Sequence, residues 1–248
     1  MLDLLLLLST VAFIAAGAVV GARLLWLAKS TRQLPDFVVG FSLFVLSAVA
    51  YPLILLGAFG GFAIDGARAV FNASMVALAV GWAGVFFFTL RVFRPGVWWA
   101  RAFVALGCAA IVYGLGASFA FAHSAPDLAT LNGANNPGIV IQFAALAVYA
   151  WTATEGFLCW TQARRRLALG LADAMVVNRF LLWTCIGVCS FVSVAPSLVI
   201  TLSGGDGTVH PVARLSTALA GLACAIALQL AFLPPTAYRR WISDAAAT

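Results

Sequence analysis

Seven separate apolar runs, each of about 20 residues or more, predict an all-α integral membrane fold, a bundle of seven transmembrane helices. Composition points the same way. Of the 248 residues, 64% are hydrophobic and 9% are charged, whereas a soluble domain carries about 25% charged residues. Arginine, in addition, gathers in every second connection between the runs. Residues 1–248 therefore read as one transmembrane domain with no room for a separate extramembrane one.

The runs lie at about 4–27, 36–59, 69–90, 98–122, 138–161, 178–203 and 211–233. Each can cross about 30 Å of hydrocarbon at 1.5 Å per residue. They are expected to be helices, because a helix satisfies its backbone groups within the segment. Barrel strands would alternate over only about 10 residues. The first run could pass for a signal peptide, but Asp3 stands where a positive n-region belongs, so it reads as a retained span.

Orientation follows from charge. Arg23, Lys29, Arg32, Arg91, Arg94, Arg101, Arg164, Arg165, Arg166, Arg179, Arg239 and Arg240 fall on one side, with Asp36, Asp173 and Asp244. The other side has Arg68 and Arg214 against Asp3, Asp65, Asp127 and Asp206. The positive-inside rule places the first side in the cytoplasm, so the N-terminus is outside and the C-terminus cytoplasmic. The same asymmetry accounts for the basic pI of about 9.5, and no nucleic-acid partner is implied. One lysine, Lys29, beside many arginines and alanines, suggests a GC-rich bacterial genome, hence an inner-membrane location.

The longest outside connection is His123 to Pro137, with turn-forming Asn132-Gly133 and Asn135-Asn136-Pro137-Gly138. The longest inside one, 162–177, opens with Arg164, Arg165 and Arg166. Its Leu167, Leu169 and Leu171 predict an extension of helix five. A faint repeat joins spans one to three with spans five to seven. Pro52 precedes Gly60-Gly61, and Pro196 precedes Gly204-Gly205, at equal intervals. An Asp-Gly pair and an arginine follow each, Arg68 or Arg214, giving a 3+1+3 parallel arrangement.

Candidate functional residues are the polar ones inside spans. Glu155 is the only glutamate, and a carboxylate within a span marks a functional site by default. Nine residues separate it from Arg164, about 13 Å at helical rise. Arg23 is a candidate ion-pair partner. Trp151 and Thr152 share its face; Asn72, Tyr51, Ser193 and Gln229 are expected to join it around a ligand pocket in the bundle. Pro52 and Pro196 each remove one helical hydrogen bond and predict kinks or hinges. Small residues at fourfold spacing, Gly17/Gly21, Ala110/Gly114/Ser118 and Thr217/Gly221/Ala225, predict close helix packing, with a homodimer as the alternative use. The cysteines, Cys108, Cys159, Cys185, Cys189 and Cys224, lie in apolar runs and read as buried small side chains. No catalytic set and no metal cluster is apparent; His123 and His210 belong to loops.

The topology resembles that of opsins and G-protein-coupled receptors. Span seven holds no lysine, so a retinal Schiff base is excluded and no cofactor is expected. Pro235 to Tyr238 is similar to the receptors' Pro-x-x-Tyr, but Pro234 stands where they carry Asn. The 3+1+3 pattern resembles that of the SWEET sugar transporters, without their Pro-Gln signature after Pro52 or Pro196. The expected function is a receptor or sensor in the bilayer that binds a small apolar ligand or lipid. It would act through a separate partner at a cytoplasmic contact surface of Arg164, Arg165 and Arg166. The alternatives are a small-solute transporter of two three-helix units and a non-catalytic subunit of a membrane complex.

Overall fold

A computed structural model describes residues 1–131 and 139–247; the turn sequences at 132–138 lie outside the described residues. Among the described residues, seven helices are long and apolar enough to cross a membrane. They are α1 (Leu2–Thr31), α2 (Leu34–Phe59), α3 (Ile64–Phe93), α4 (Trp98–Ser124), α5 (Ile139–Ala168), α6 (Ala174–Leu202) and α7 (Pro211–Phe232). The chain is thus an all-helical, membrane-type fold. A further helix, α8 (Thr236–Ala247), follows α7 and touches α6.

Contacts fix the arrangement. α1 packs on α2 and α7, α3 on α2, α4 and α5, and α6 on α5 and α7. The ring closes where α1 meets α7. Consecutive helices are antiparallel, as glycine contacts show. A Cβ on Gly17 would lie 2.6 Å from the Ser47 Cβ, and one on Gly21 would lie 2.8 Å from the Phe44 nitrogen. α3 and α5 run parallel, because Trp82, Thr89 and Arg94 bond in that order to Tyr149, Thr152 and Glu155. The small-residue motifs of α1, α4 and α7 all serve such contacts within the chain: Gly114 faces Ile141 and Gly221 faces Ser9. Without side chains there, the backbones approach closely enough for dispersion contacts, which hold helices together where lipid removes the hydrophobic drive.

The two prolines act differently. Before Pro52 the α2 backbone widens into a π-helical segment, Val45–Ala50, and the Tyr51 N–H bonds to the Leu46 carbonyl five residues back. Pro196 sits inside α6 with helix assigned on both sides. α5 continues to Ala168, as Leu167 and the arginines predicted, and its last three turns extend beyond the level of the α3 terminus at Phe93. Asp173 caps α6, its carboxylate accepting from the N–H groups of Met175 (2.7 Å) and Val176 (3.2 Å). Such a cap satisfies donors that the first helical turn leaves unpaired.

Candidate functional site: the bundle interior

A half-open cavity of about 620 Å³ lies between α2, α3, α5 and α6, at the end opposite the arginine-rich one. Its wall is mostly apolar: Leu53, Ile54, Val70, Phe71, Met75, Leu78, Leu131, Ile139 and Ile141. Polar groups enter it from Ser74, Trp82, Gln142, Ser197, Thr201 and Thr208; among the described residues no charged side chain lines it. Leu53 and Ser197 immediately follow the two prolines, so both α2 and α6 contribute wall residues from their proline turns.

Most of those polar groups already use their protons. The Ser74 hydroxyl donates to the Phe71 carbonyl (2.7 Å), Thr201 to the Ser197 carbonyl (2.9 Å) and Thr208 to Asp206 (2.6 Å). Trp82 Nε1 donates to the Tyr149 hydroxyl at 2.6 Å. The buried Gln142 Oε1 has no hydrogen-bond partner among the described residues. In the loop beside the cavity, those Thr208 contacts hold the Asp206 carboxyl below its ordinary value.

Two spaces of about 50 Å³ each continue toward the arginine-rich end. One is lined by Tyr51, Tyr149, Cys189, Ser190, Ser193 and Thr217, among others. Several hydroxyls reach into an otherwise mainly apolar wall, and the space is large enough for ordered water. The second has Thr152, Phe88, Trp183 and Tyr149 on its wall. Phe13, Tyr149, Ser190 and Cys224 border both spaces, and Tyr149 is bonded to Trp82 of the large cavity's wall.

Beyond Thr152 comes the carboxylate. Glu155 is only 4% exposed. Arg94, just past the end of α3, donates from Nε to Glu155 Oε1 at 2.7 Å, and Trp151 Nε1 donates to the same oxygen at 3.1 Å. The bond to Glu155 holds the Arg94 guanidinium above its ordinary value. Arg94 also lies 5.8 Å from the Trp99 ring centroid. Trp151 is fixed by Phe103 (5.2 Å, nearly perpendicular), Trp99 and Phe86. The partner is Arg94, not Arg23. The reason is helix placement: α3 is the parallel neighbour of α5, so its end arrives level with Glu155.

The residues singled out in the sequence are thus divided. Tyr51 and Ser193 share the middle space, and Thr152 lines the next one. Trp151 and Glu155 form the ion-pair cluster and line none of these cavities. Asn72 lies apart on α3, its buried Oδ1 without a partner. Gln229 is exposed on α7, away from these walls. Arg164 stacks over Trp160 at 4.9 Å on the protruding end of α5, while Arg166 borders a groove of about 360 Å³ with Gln162, Asp173 and Phe180. Gln142, Trp82 and Tyr149 escaped the sequence reading, and Arg94 entered it only as a topology signal, not as a site residue. Gln142 was the most visible of them, a lone amide in an apolar run. No family model, curated protein or solved structure matches this chain.

Proposed function

We propose that the chain is a seven-span receptor or sensor of a bacterial inner membrane that binds a small, largely apolar molecule between α2, α3, α5 and α6. The observation that carries this reading is the cavity of about 620 Å³. Ligand sites are typically clefts of about 300–1,000 Å³, mainly apolar with a few placed polar groups. In the proposed orientation the N-terminus is outside and the arginine-rich end cytoplasmic, so the cavity occupies the outer half. The protruding end of α5, with Arg164, Arg165 and Arg166, is then the surface for a separate partner protein. Native mass spectrometry of protein purified in mild detergent tests the reading. A bound small molecule is expected on the wild type and lost from Gly57→Phe, which fills the cavity where a Cβ has ordinary room. A wild-type chain that is consistently empty, with no partner co-purifying, would count against it.

A transporter of two three-helix units is the second reading, favoured by one specific observation. Gly21 stands five residues before Trp26 and Gly156 four before Trp160, so the two correspond, and the offset from Pro52 to Pro196 brings position 40 to position 184. In each unit those two positions meet: Gly21 against Gly40, and Gly156 against Thr184. The neighbour order also fits a two-fold relation, since exchanging the units turns the α1–α7 contact into the α5–α3 contact. Against the repeat, the left-handed glycine is Gly61 in one unit and Gly204, one position earlier, in the other.

A further inference from the structure

We infer that the large cavity takes a neutral amphiphile that donates a hydrogen bond, an alcohol, phenol or carboxamide on a hydrocarbon body, and that Gln142 receives that bond. The inference rests on the proposed ligand site and narrows its chemistry.

Charge is decided first. Among the described residues no Asp, Glu, Lys or Arg lines the cavity. A carboxylate, phosphate or ammonium would meet no counter-charge on this mostly apolar wall, and an ion withdrawn from water without a partner is costly to bind. The apolar majority of the wall selects a hydrocarbon body by the same argument, because alkyl surface there is removed from water at no polar cost.

Hydrogen-bond direction is decided next. Ser74, Thr201 and Thr208 donate to oxygens of the protein, and Trp82 donates to Tyr149. What those hydroxyls still offer is lone pairs. Gln142 Oε1 is buried and unpaired, and an acceptor left so costs free energy until a donor reaches it. That one unpaired oxygen asks for a proton from the occupant, while the Ser197 hydroxyl and the Gln142 amide N–H groups on the same wall can return a bond to the occupant's oxygen. A hydroxyl or N–H at one end of an apolar body supplies that proton; an ether or ester of the same shape does not.

Photolabelling of the full chain in lipid nanodiscs tests this. Three probes share a dodecyl chain bearing a diazirine and differ only at the end: a hydroxyl, its methyl ether and a carboxylate. Cross-links are mapped to the peptides holding Leu53–Ala58 and Val70–Leu78. The alcohol is expected to half-saturate at a concentration about tenfold below the ether, the factor for one hydrogen bond to a buried unpaired acceptor. The carboxylate is expected to leave these peptides unlabelled. Gln142→Leu should bring the alcohol to the concentration of the ether; Gln142→Met repeats the comparison if the leucine variant does not fold. Equal labelling by alcohol and ether, or preference for the carboxylate, overturns the inference and leaves the ligand site standing. A preference that survives both Gln142 variants overturns the role of Gln142. No labelling by any probe overturns the inference together with the ligand site itself.

Discussion

At the scale of single residues, the decisive contact is between a carboxylate that is 4% exposed and a guanidinium whose side chain is 37% exposed. The two ends of this pair are unequal. Arg94 left alone can turn to solvent or headgroups, whereas Glu155 left alone keeps only the Trp151 N–H. Arg94→Ala should therefore destabilise more than Glu155→Gln, by on the order of 1–3 kcal/mol, since it strands a buried acceptor. Chemical unfolding in mild detergent measures both. If Arg94→Ala proves harmless, the pair is not what holds the ends of α3 and α5 together. Glu155→Gln should also leave any ligand bound in the large cavity, because Glu155 lies off its wall; loss of ligand in that variant would return the carboxylate to the binding site. The need for a partner was readable from the sequence, since a lone glutamate in an apolar run must be paired. Which partner was not, because Arg23 and Arg94 have the same sign and the same end, and only helix order distinguishes them. Gln142 was readable in principle by the rule that drew attention to Asn72.

At the scale of helices, close packing is set by absent side chains. A Cβ on Gly187 would stand 2.7 Å from the Ala153 nitrogen and 2.9 Å from its Cα, both backbone atoms that cannot swing aside. A Cβ on Gly116 meets nothing within 4 Å. Gly187→Val should thus cost about 1–3 kcal/mol by overpacking, and Gly116→Val should be tolerated. Parallel thermal melts check the contrast; equal melting temperatures would mean that α5 and α6 can separate freely. The transporter reading makes its prediction at this scale too. Pro52→Ala and Pro196→Ala should slow solute flux in proteoliposomes, and absence of flux across a broad solute panel removes that reading. The span positions were legible because apolar length is a local property of the chain, and each sequence span matches a helix to within a few residues at most ends. The π segment before Pro52 was not legible. Proline dictates that one hydrogen bond is lost, but whether the helix bends or widens depends on what packs there, here Gly81 of α3 against Leu46.

At the scale of the whole molecule, charge and shape lie along one axis. The arginine-rich end carries the ion pair, the protruding turns of α5 and the following helix α8; the opposite end carries the cavity. α8 continues this pattern, with Arg239 and Arg240 beside Tyr238 and Trp241, whose rings lie 5.8 Å apart and tilted. The Tyr238 hydroxyl donates to Asn178 Oδ1 at 3.1 Å, tying α8 to the start of α6. Basic and aromatic residues together belong at a membrane–water interface, where the rings sit among headgroups and the cations meet anionic lipid. The proposed orientation puts that interface on the cytoplasmic side, where such lipid and the positive-inside bias are found. It follows that a fluorescent protein fused after Thr248 should fold and fluoresce, and that alkaline phosphatase fused there should stay inactive. Phosphatase placed in the 203–210 connection should be active. The reverse pattern would put the cavity on the cytoplasmic side. The proposed ligand would then have to come from within the cell, and Arg164 to Arg166 would face away from any cytoplasmic partner.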